Sequence, residues 1–173
     1  MQYIPYLDID TGTIASQPSN RAFTSQQAIE LARELPQHPF ITRVILKRNG
    51  IDDDGAKALS KVKQIKYLDL TGNYVGDVGA KALAKNTTLE ELYLDENPIT
   101  KSGVEAFFSN YSIEKLGLHR LDYVSKELLM RLQHHIALNS REFIRSMNRG
   151  RASYAPRISR RKSPKSRRRS IKV

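Results

Sequence analysis

The segment that decides the fold is Ile65–Thr88, which reads IKYLDLTGNYVGDVGAKALAKNTT. The same pattern begins again at Leu89, directly after this segment, and an earlier copy begins at Ile41. A fourth, weaker copy begins at Ile113. Because apolar, Asn and Gly positions recur at one fixed interval, the chain is predicted to be a repeat protein with a 24-residue period.

Each unit is predicted to hold one strand, one turn and one helix. The spacing L-x-x-L-x-L, as in Ile65, Leu68 and Leu70, predicts a short strand with one buried face. An Asn column marks the turn, where a buried side-chain amide can bond backbone groups that would otherwise stay unpaired. That column contains Asn49, Asn73 and Asn97. The run G-A-K-A-L predicts a helix with small residues facing inward. The expected helix N-caps are Asp53, Asp77 and Thr100.

This pattern resembles the leucine-rich repeat, and in particular its ribonuclease-inhibitor-like class. The 24-residue period and the run GAKALAK are most similar to the GALA-type repeats of bacterial effector proteins, and the resemblance covers Ile41 to about His135. It implies an α/β fold: a right-handed solenoid with a parallel sheet on the concave face and helices on the convex face. It implies a role in binding a protein partner, but this fold alone does not specify the partner.

Residues 1–40 are predicted to form a degenerate first repeat that caps the array, which itself spans 41–136. The expected strand and turn positions of this cap are Ile4, Leu7, Ile9, Gly12 and Ile14. A helix is predicted from about Ser25 to Leu35, with Thr24 or Ser25 as its N-cap. Counting one 24-residue period back from Ala56 and Leu59 gives Ala32 and Leu35 as the inward-facing positions of that helix. The alternative is an irregular N-terminal arm.

At the other end, a longer helix is predicted from about Ser125 to Ala137. Residues 137–148 are predicted to form a C-terminal capping helix, because Asn139 and Glu142 have the spacing of a capping box.

Residues 149–173 contain eleven of the 29 Lys and Arg residues and no acidic residue, so the positive net charge of the chain lies entirely in this tail. Its composition predicts disorder. It also predicts attraction to polyanions, either as non-specific nucleic-acid binding or as an acidic-partner contact. A nuclear-localisation signal, a bacterial export signal and a silent solubilising tail are alternatives. The candidate residues are Arg160, Arg161, Lys162, Lys165, Arg167, Arg168 and Arg169.

The sequence lacks the common catalytic and phosphate-binding motifs, and it contains no cysteine. We therefore expect no enzyme activity, no cofactor and no metal site. The N-terminus does not resemble a cleavable signal peptide, and no stretch is long enough to span a membrane. A monomer in the cytoplasm, or one secreted into a host cell without a signal peptide, is expected, with a nuclear location as an alternative. On this reading the glycosylation sequons at Asn86 and Asn110 are irrelevant.

The candidate protein-binding site is a patch of outward-facing strand residues on the concave face. Tyrosines surrounded by charge are typical of binding hot spots. The competing interpretation is that these side chains only stabilise the sheet through cross-strand pairs. The site residues are Tyr67, Asp69, Glu91, Tyr93 and Asp95, flanked by Arg43, Lys115 and His119.

The sequence therefore predicts a non-enzymatic interaction module that binds a protein through its concave sheet. The resemblance implies a bacterial effector that acts on a host protein. One alternative is a nucleic-acid- or nucleus-associated protein that acts through its tail. Another is a regulator of a small GTPase, since one branch of the ribonuclease-inhibitor-like class has that role.

Overall fold

The computed structural model describes residues 6–8, 12–15, 23–121 and 124–140. Six strands lie within these residues: β1 (Tyr6–Asp8), β2 (Thr13–Ala15), β3 (Arg43–Ile45), β4 (Tyr67–Asp69), β5 (Glu91–Tyr93) and β6 (Lys115–Gly117). The same described residues contain five α-helices: α1 (Ser25–Glu34), α2 (Asp53–Leu59), α3 (Asp77–Ala84), α4 (Lys101–Glu105) and α5 (Lys126–Asn139). Short 3₁₀ turns follow α1 and α4, at Leu35–Gln37 and Ala106–Ser109.

The strands form one sheet in the order β1 to β6, and every neighbouring pair from β2 to β6 is parallel. From β3 onward each strand residue pairs with its equivalent in the next repeat, so that Arg43, Tyr67, Glu91 and Lys115 lie side by side. Successive helices pack against one another as a second layer. The chain is thus an α/β leucine-rich-repeat solenoid, with its sheet on the concave face and its helices on the convex face.

The core lies between the two layers and consists of the repeated apolar columns. The middle residue of each strand from β3 to β6 and the Leu two positions later are at most 5% exposed. Burial of these columns confirms the predicted strand register. The column residues are Val44, Leu68, Leu92 and Leu116, followed by Leu46, Leu70, Leu94 and Leu118.

The Asn column bonds backbone groups at the turn, as the sequence predicted, and it also joins neighbouring repeats. Asn73 Nδ2 donates to the carbonyl of Leu70 (2.9 Å) and to that of Leu46 in the preceding repeat (2.8 Å). Its Oδ1 accepts from the Ile51 N–H at 3.1 Å. Asn97 makes the equivalent bonds one repeat later. These buried amides satisfy turn groups that would otherwise cost about 1–3 kcal/mol each.

The predicted N-caps are correct for Thr100 and wrong for the two aspartates. The observed caps of α2 and α3 are Asp52 and Gly76. Asp53 and Asp77 are instead the first helical residues, and each carboxylate accepts hydrogen bonds from the start of the next helix. A capping assignment made within one helix misses such bonds, because the acceptor comes from the repeat before.

The predicted strand register of the first unit is also wrong. The strand that pairs with β3 is Thr13–Ala15, while Tyr6–Asp8 pairs antiparallel with it as the outer arm of a hairpin. The position equivalent to Ile51 is filled by Phe23, whose N–H donates to Asn49 Oδ1 at 2.7 Å. The segment from the start of β2 to Phe23 is longer than the segment from the start of β3 to Ile51, so counting offsets from the first residues fails.

Helix α1 confirms the predicted helix and its Thr24 N-cap, but it is out of phase with the regular repeats. Ala28 is fully buried and lies against Gly55, just as Ala56 lies against Gly79, so Ala28 is the equivalent of Ala56 in the first unit. The number of residues from Ala28 to Ala56 is larger than the number from Ala56 to its next equivalent, Ala80. Leu35 is buried as predicted, whereas Ala32 is only partly buried. The cause is four extra residues between the helix start and the next strand, about one helical turn.

The last helix, α5, begins after its N-cap Ser125 and runs two residues beyond its predicted end. Residues 137–139, assigned to the capping helix, belong to α5, and Asn139 is the last residue of this helix. The rest of that predicted helix, 141–148, and the basic tail 149–173 lie outside the described residues. In the described part of the chain, no helix is long and apolar enough to cross a membrane.

Candidate functional site

The candidate site is built on the outward face of β3 to β6. Alternate residues of a strand point to opposite faces, so burial of the middle residue places its two neighbours on the concave surface. The sheet register sets Tyr67 beside Glu91 and Asp69 beside Tyr93. The predicted flanking residues Arg43 and Lys115 lie in the same row on the two outer strands.

Three of these side chains form a stack, which we call the aromatic cluster: Arg43, Tyr67 and Tyr93. The Arg43 guanidinium carbon lies 3.4 Å from the centroid of the Tyr67 ring. The Tyr67 and Tyr93 ring centroids are 5.4 Å apart, at an interplanar angle of 42°. Cation–π and aromatic contacts at these separations are attractive. The cluster therefore holds two aromatic rings and one cation in a fixed arrangement across three strands.

Asp69 was predicted to lie in an exposed acidic patch, and this part of the prediction is wrong. Its side chain is 1% exposed, and its Oδ2 lies 3.0 Å from Lys47 Nζ. The same oxygen accepts a weak hydrogen bond from the Tyr67 hydroxyl at 3.4 Å, while Oδ1 accepts from the Thr71 N–H at 3.1 Å. A buried carboxylate requires such partners. Asp69 thus supports the cluster from below.

The other acidic residues of the site are also engaged within the chain. Glu91 Oε1 lies 2.9 Å from Lys115 Nζ, and its Oε2 accepts from the Tyr93 hydroxyl at 3.3 Å. Asp95 Oδ1 accepts from the His119 N–H at 2.6 Å. The structure thus brings all eight predicted site residues onto one face but turns their carboxylates toward internal partners. The site is an aromatic and mixed-charge surface, with no free acidic patch among its described residues.

The environment keeps both phenols protonated. Partial burial raises the pKa of Tyr67, the negative charge of Asp69 raises it further, and the Arg43 guanidinium opposes this shift. Burial and the charge of Glu91 raise the pKa of Tyr93 in the same way. The pKa of Lys115 is also raised, because its ammonium group is hydrogen-bonded to Glu91. At neutral pH the site therefore presents two neutral hydroxyls and several cations.

Two features of the site were not anticipated. The first is the ion pair by which Lys47 neutralises Asp69 on the adjacent strand. Gly117 occupies the column of Asp69 and Tyr93, and a Cβ at Gly117 would lie 2.7 Å from Tyr93 Cδ1. The absence of a side chain there leaves room for the Tyr93 ring. The Gly in an otherwise side-chain-bearing column was the available signal.

The described residues contain no group of three or more His, Cys, Asp or Glu side chains placed to hold a metal ion. The seven basic residues predicted for polyanion binding or localisation, in 160–169, lie outside the described residues.

Comparison with known proteins agrees with the repeat architecture. Residues 39–99 match the family model described as "Leucine rich repeat". This match agrees with the leucine-rich-repeat fold of the chain. No protein with a curated description is similar to it at a significant level.

Among solved structures, the chain is similar to "Leiomodin-1 Actin-Binding Site 2 (ABS2)", with a TM-score of 0.66 and 19% identity over 86% of this chain and 91% of that one. It is also similar to the tropomodulin C-terminal domain of Caenorhabditis elegans, with a TM-score of 0.59 and 15% identity over 83% and 92%. A third similar structure is the Mex67:Mtr2 subunits of Chaetomium, with a TM-score of 0.50 and 19% identity over 73% and 92%. At identities this low, the structural similarity shows a shared fold and nothing more.

Proposed function

We propose that this chain is a non-enzymatic interaction module that binds a protein partner through its concave sheet, with the aromatic cluster as the central contact. The observation that supports this is the stacking of Arg43 on Tyr67 and of Tyr67 on Tyr93. Tyr and Arg are enriched in hot spots. Side chains already held in place lose less conformational entropy on binding, so that more of the contact energy contributes to affinity.

The similar leiomodin structure is an actin-binding site, which gives a first partner to test. We therefore include actin as a defined candidate beside an unbiased search. The effector role in a host cell, which the GALA-type resemblance implies, stays a prediction. The cytoplasmic, host-cell or nuclear location and the monomeric state stay predictions as well.

The test is a pull-down from nuclease-treated lysate, together with actin co-sedimentation, using the full-length protein. One variant carries Tyr67→Ala and Tyr93→Ala. The matched control carries Tyr74→Ala and Phe40→Ala, which removes two aromatic side chains that are 69% and 50% exposed and lie outside the strands. We expect a specific partner to be lost with the first variant and kept with the control, while circular dichroism shows both variants folded.

Two results would contradict the proposal. One is equal loss of the partner from both double variants. The other is retention that depends only on the tail, lost on replacing Arg167, Arg168 and Arg169 by Ser and weakened by salt. The second result would favour the nucleic-acid- or nucleus-associated function.

A further inference from the structure

The convex side carries a row of cations that the concave-face proposal does not use. Arg33, Lys61 and Lys85 occupy the same position in three successive repeats. The same numbers of residues separate Ala28, Ala56 and Ala80, the equivalent buried positions of the three repeats. Neighbouring packed helices lie about 8–10 Å apart. We call Arg33, Lys61 and Lys85 the cationic row, and it crosses the ends of α1, α2 and α3.

Grooves lie along this row. The first, of about 610 Å³, runs between α1 and α2 and has an apolar floor that includes Ile29, Ala32 and Val62. Arg33 and Lys61 stand at its rim, with Lys63 beside them. The second, of about 480 Å³, lies between α3 and α4 and is lined by Lys81, Lys85 and Tyr111 among others. None of the described residues that line either groove is acidic.

The charges of the cationic row have no ion-pair partner among the described residues. Its three side chains are exposed, and they take part in none of the ion pairs found among the described residues. Cations near a helix C-terminus also balance the helix dipole. That effect accounts for Arg33 in the last turn of α1 and Lys85 at the C-cap of α3. Lys61 follows the C-cap of α2, and the dipole does not explain the apolar floor beside it.

We propose that the convex grooves along the cationic row are a second docking surface, which binds an acidic peptide segment carrying apolar side chains. The apolar floor favours such a peptide over a nucleic acid, which would present a uniformly charged backbone. Carboxylates spaced about 10 Å apart match the row, and an extended chain reaches this spacing every third residue. The occupant is not the tail of this chain, because 149–173 is basic and has no acidic residue.

The experiment uses full-length protein with ¹³C-labelled Ile and Val methyl groups, so that binding at the groove is distinguished from binding to the basic tail. Ile29 and Val62 report on the groove, while Ile45 reports on the concave sheet. The probe is a 12-residue peptide with Glu at every third position and Leu beside each Glu. One control peptide has Gln for Glu, another has Ser for Leu, and a 12-nucleotide single strand serves as a simple polyanion.

We expect the Glu–Leu peptide to shift the Ile29 and Val62 methyl signals and to leave Ile45 unchanged. The Lys61→Ser, Lys85→Ser variant should weaken this binding roughly fivefold to tenfold, as removal of two rim charges allows. The matched Lys101→Ser, Lys126→Ser variant removes two exposed lysines away from the row and should bind as the wild type does.

Four outcomes would overturn the inference. Methyl shifts of equal size with the oligonucleotide would make the row a polyanion site. Equal shifts with the Ser-for-Leu peptide would remove the role of the apolar floor. Unchanged peptide affinity in the Lys61→Ser, Lys85→Ser variant would show that these lysines do not bind the peptide. No shift of the Ile29 and Val62 signals would show that the peptide does not bind at the groove. None of these results depends on the concave face, so they are separable from a failure of the proposed function.

Discussion

The carboxylate of Asp77 holds the start of the following helix at Thr100. Asp77 Oδ1 accepts from the Thr100 N–H at 2.8 Å, and Oδ2 accepts from the Thr100 hydroxyl at 2.6 Å. Oδ1 also accepts from the Gly103 N–H at 3.0 Å. The first N–H groups of a helix have no partner within it. Here they are satisfied by the preceding repeat, so helix capping also fixes one repeat against the next.

Replacing Asp77 by Ala should lower the free energy of unfolding by about 1 kcal/mol at pH 7, the usual effect of losing a cap. Burial alone would raise the pKa of Asp77, but the hydrogen bonds from Thr100 and Gly103 outweigh it and hold the pKa below its usual value. A carboxyl group with a depressed pKa stabilises the fold above its unfolded pKa of about 3.9, and this contribution is lost as pH falls through the folded value.

The stability gap between wild type and Asp77→Ala should therefore be constant from pH 7 to about 5 and narrow below about pH 4. Denaturant unfolding at several pH values measures it, with exposed Glu105→Ala as the control. A gap that stays constant down to pH 3 would show that the charge of Asp77 is not involved.

Replacing Asn73 by Ala should cost about 1–3 kcal/mol, because it orphans buried turn groups in two repeats. The affected groups are the carbonyls of Leu46 and Leu70 and the N–H of Ile51. Replacing Lys81, which is exposed on α3, should change stability by less than about 0.5 kcal/mol. Urea unfolding of both variants tests the register, which would be wrong if Lys81→Ala were the more damaging change.

Replacing Gly79 by Ala should destabilise the protein, although Ala is favoured over Gly in helices by about 1 kcal/mol. A Cβ at Gly79 would lie 2.7 Å from Asp53 Oδ1 and 2.8 Å from Val75 Cγ1. The displacement would break the bond from the Gly79 N–H to Asp53, and overpacking of this kind costs about 1–3 kcal/mol. Gly50→Ala is the control, since its Cβ would meet only the Phe23 carbonyl at 3.8 Å. A lower melting temperature for Gly50→Ala than for Gly79→Ala would refute this account.

The raised pKa of Tyr67 should fall toward its ordinary value of about 10 when Asp69 is replaced by Asn. Burial is the larger cause of the shift and remains in the variant, so the fall should be partial. Because the folded pKa is raised, the neutral phenol stabilises the fold below the unfolded pKa, and this contribution is lost as pH rises through the folded value. NMR titration of the Tyr ring signals measures the change. An unchanged Tyr67 titration would remove Asp69 as a cause.

The strands, the buried Leu columns and the Asn column were predictable, because each depends on a fixed period within the regular repeats. The first unit was not, since extra residues before Phe23 and between the start of α1 and β3 lengthen the first repeat. Only packing reveals that Ala28 replaces Ala32 as the equivalent of Ala56. A pattern that is counted in sequence fails where the chain length between equivalent positions changes.

The chemistry of side chains that reach between repeats was the harder part to predict. Asp69 was placed on the correct face, but its burial depends on Lys47 and Tyr67 closing over it. Asn86 and Asn110 are 1% and 5% exposed, respectively, and each binds backbone groups in its own repeat, in the one before and at the first residue of the next. They form a second Asn column that the sequon interpretation overlooked.

The bonds between repeats have a consequence for how the array can change in length. Residues 65–88 contain Asn73, which bonds the repeat before, and Asp77, which bonds the repeat after. A duplicate of this whole unit placed after Thr88 would meet the same kinds of neighbour on both sides. Evolution or design can therefore lengthen the solenoid by whole units. Each copy would add about 4.8 Å of sheet and one more Tyr–Asp row, while both terminal units stay unchanged.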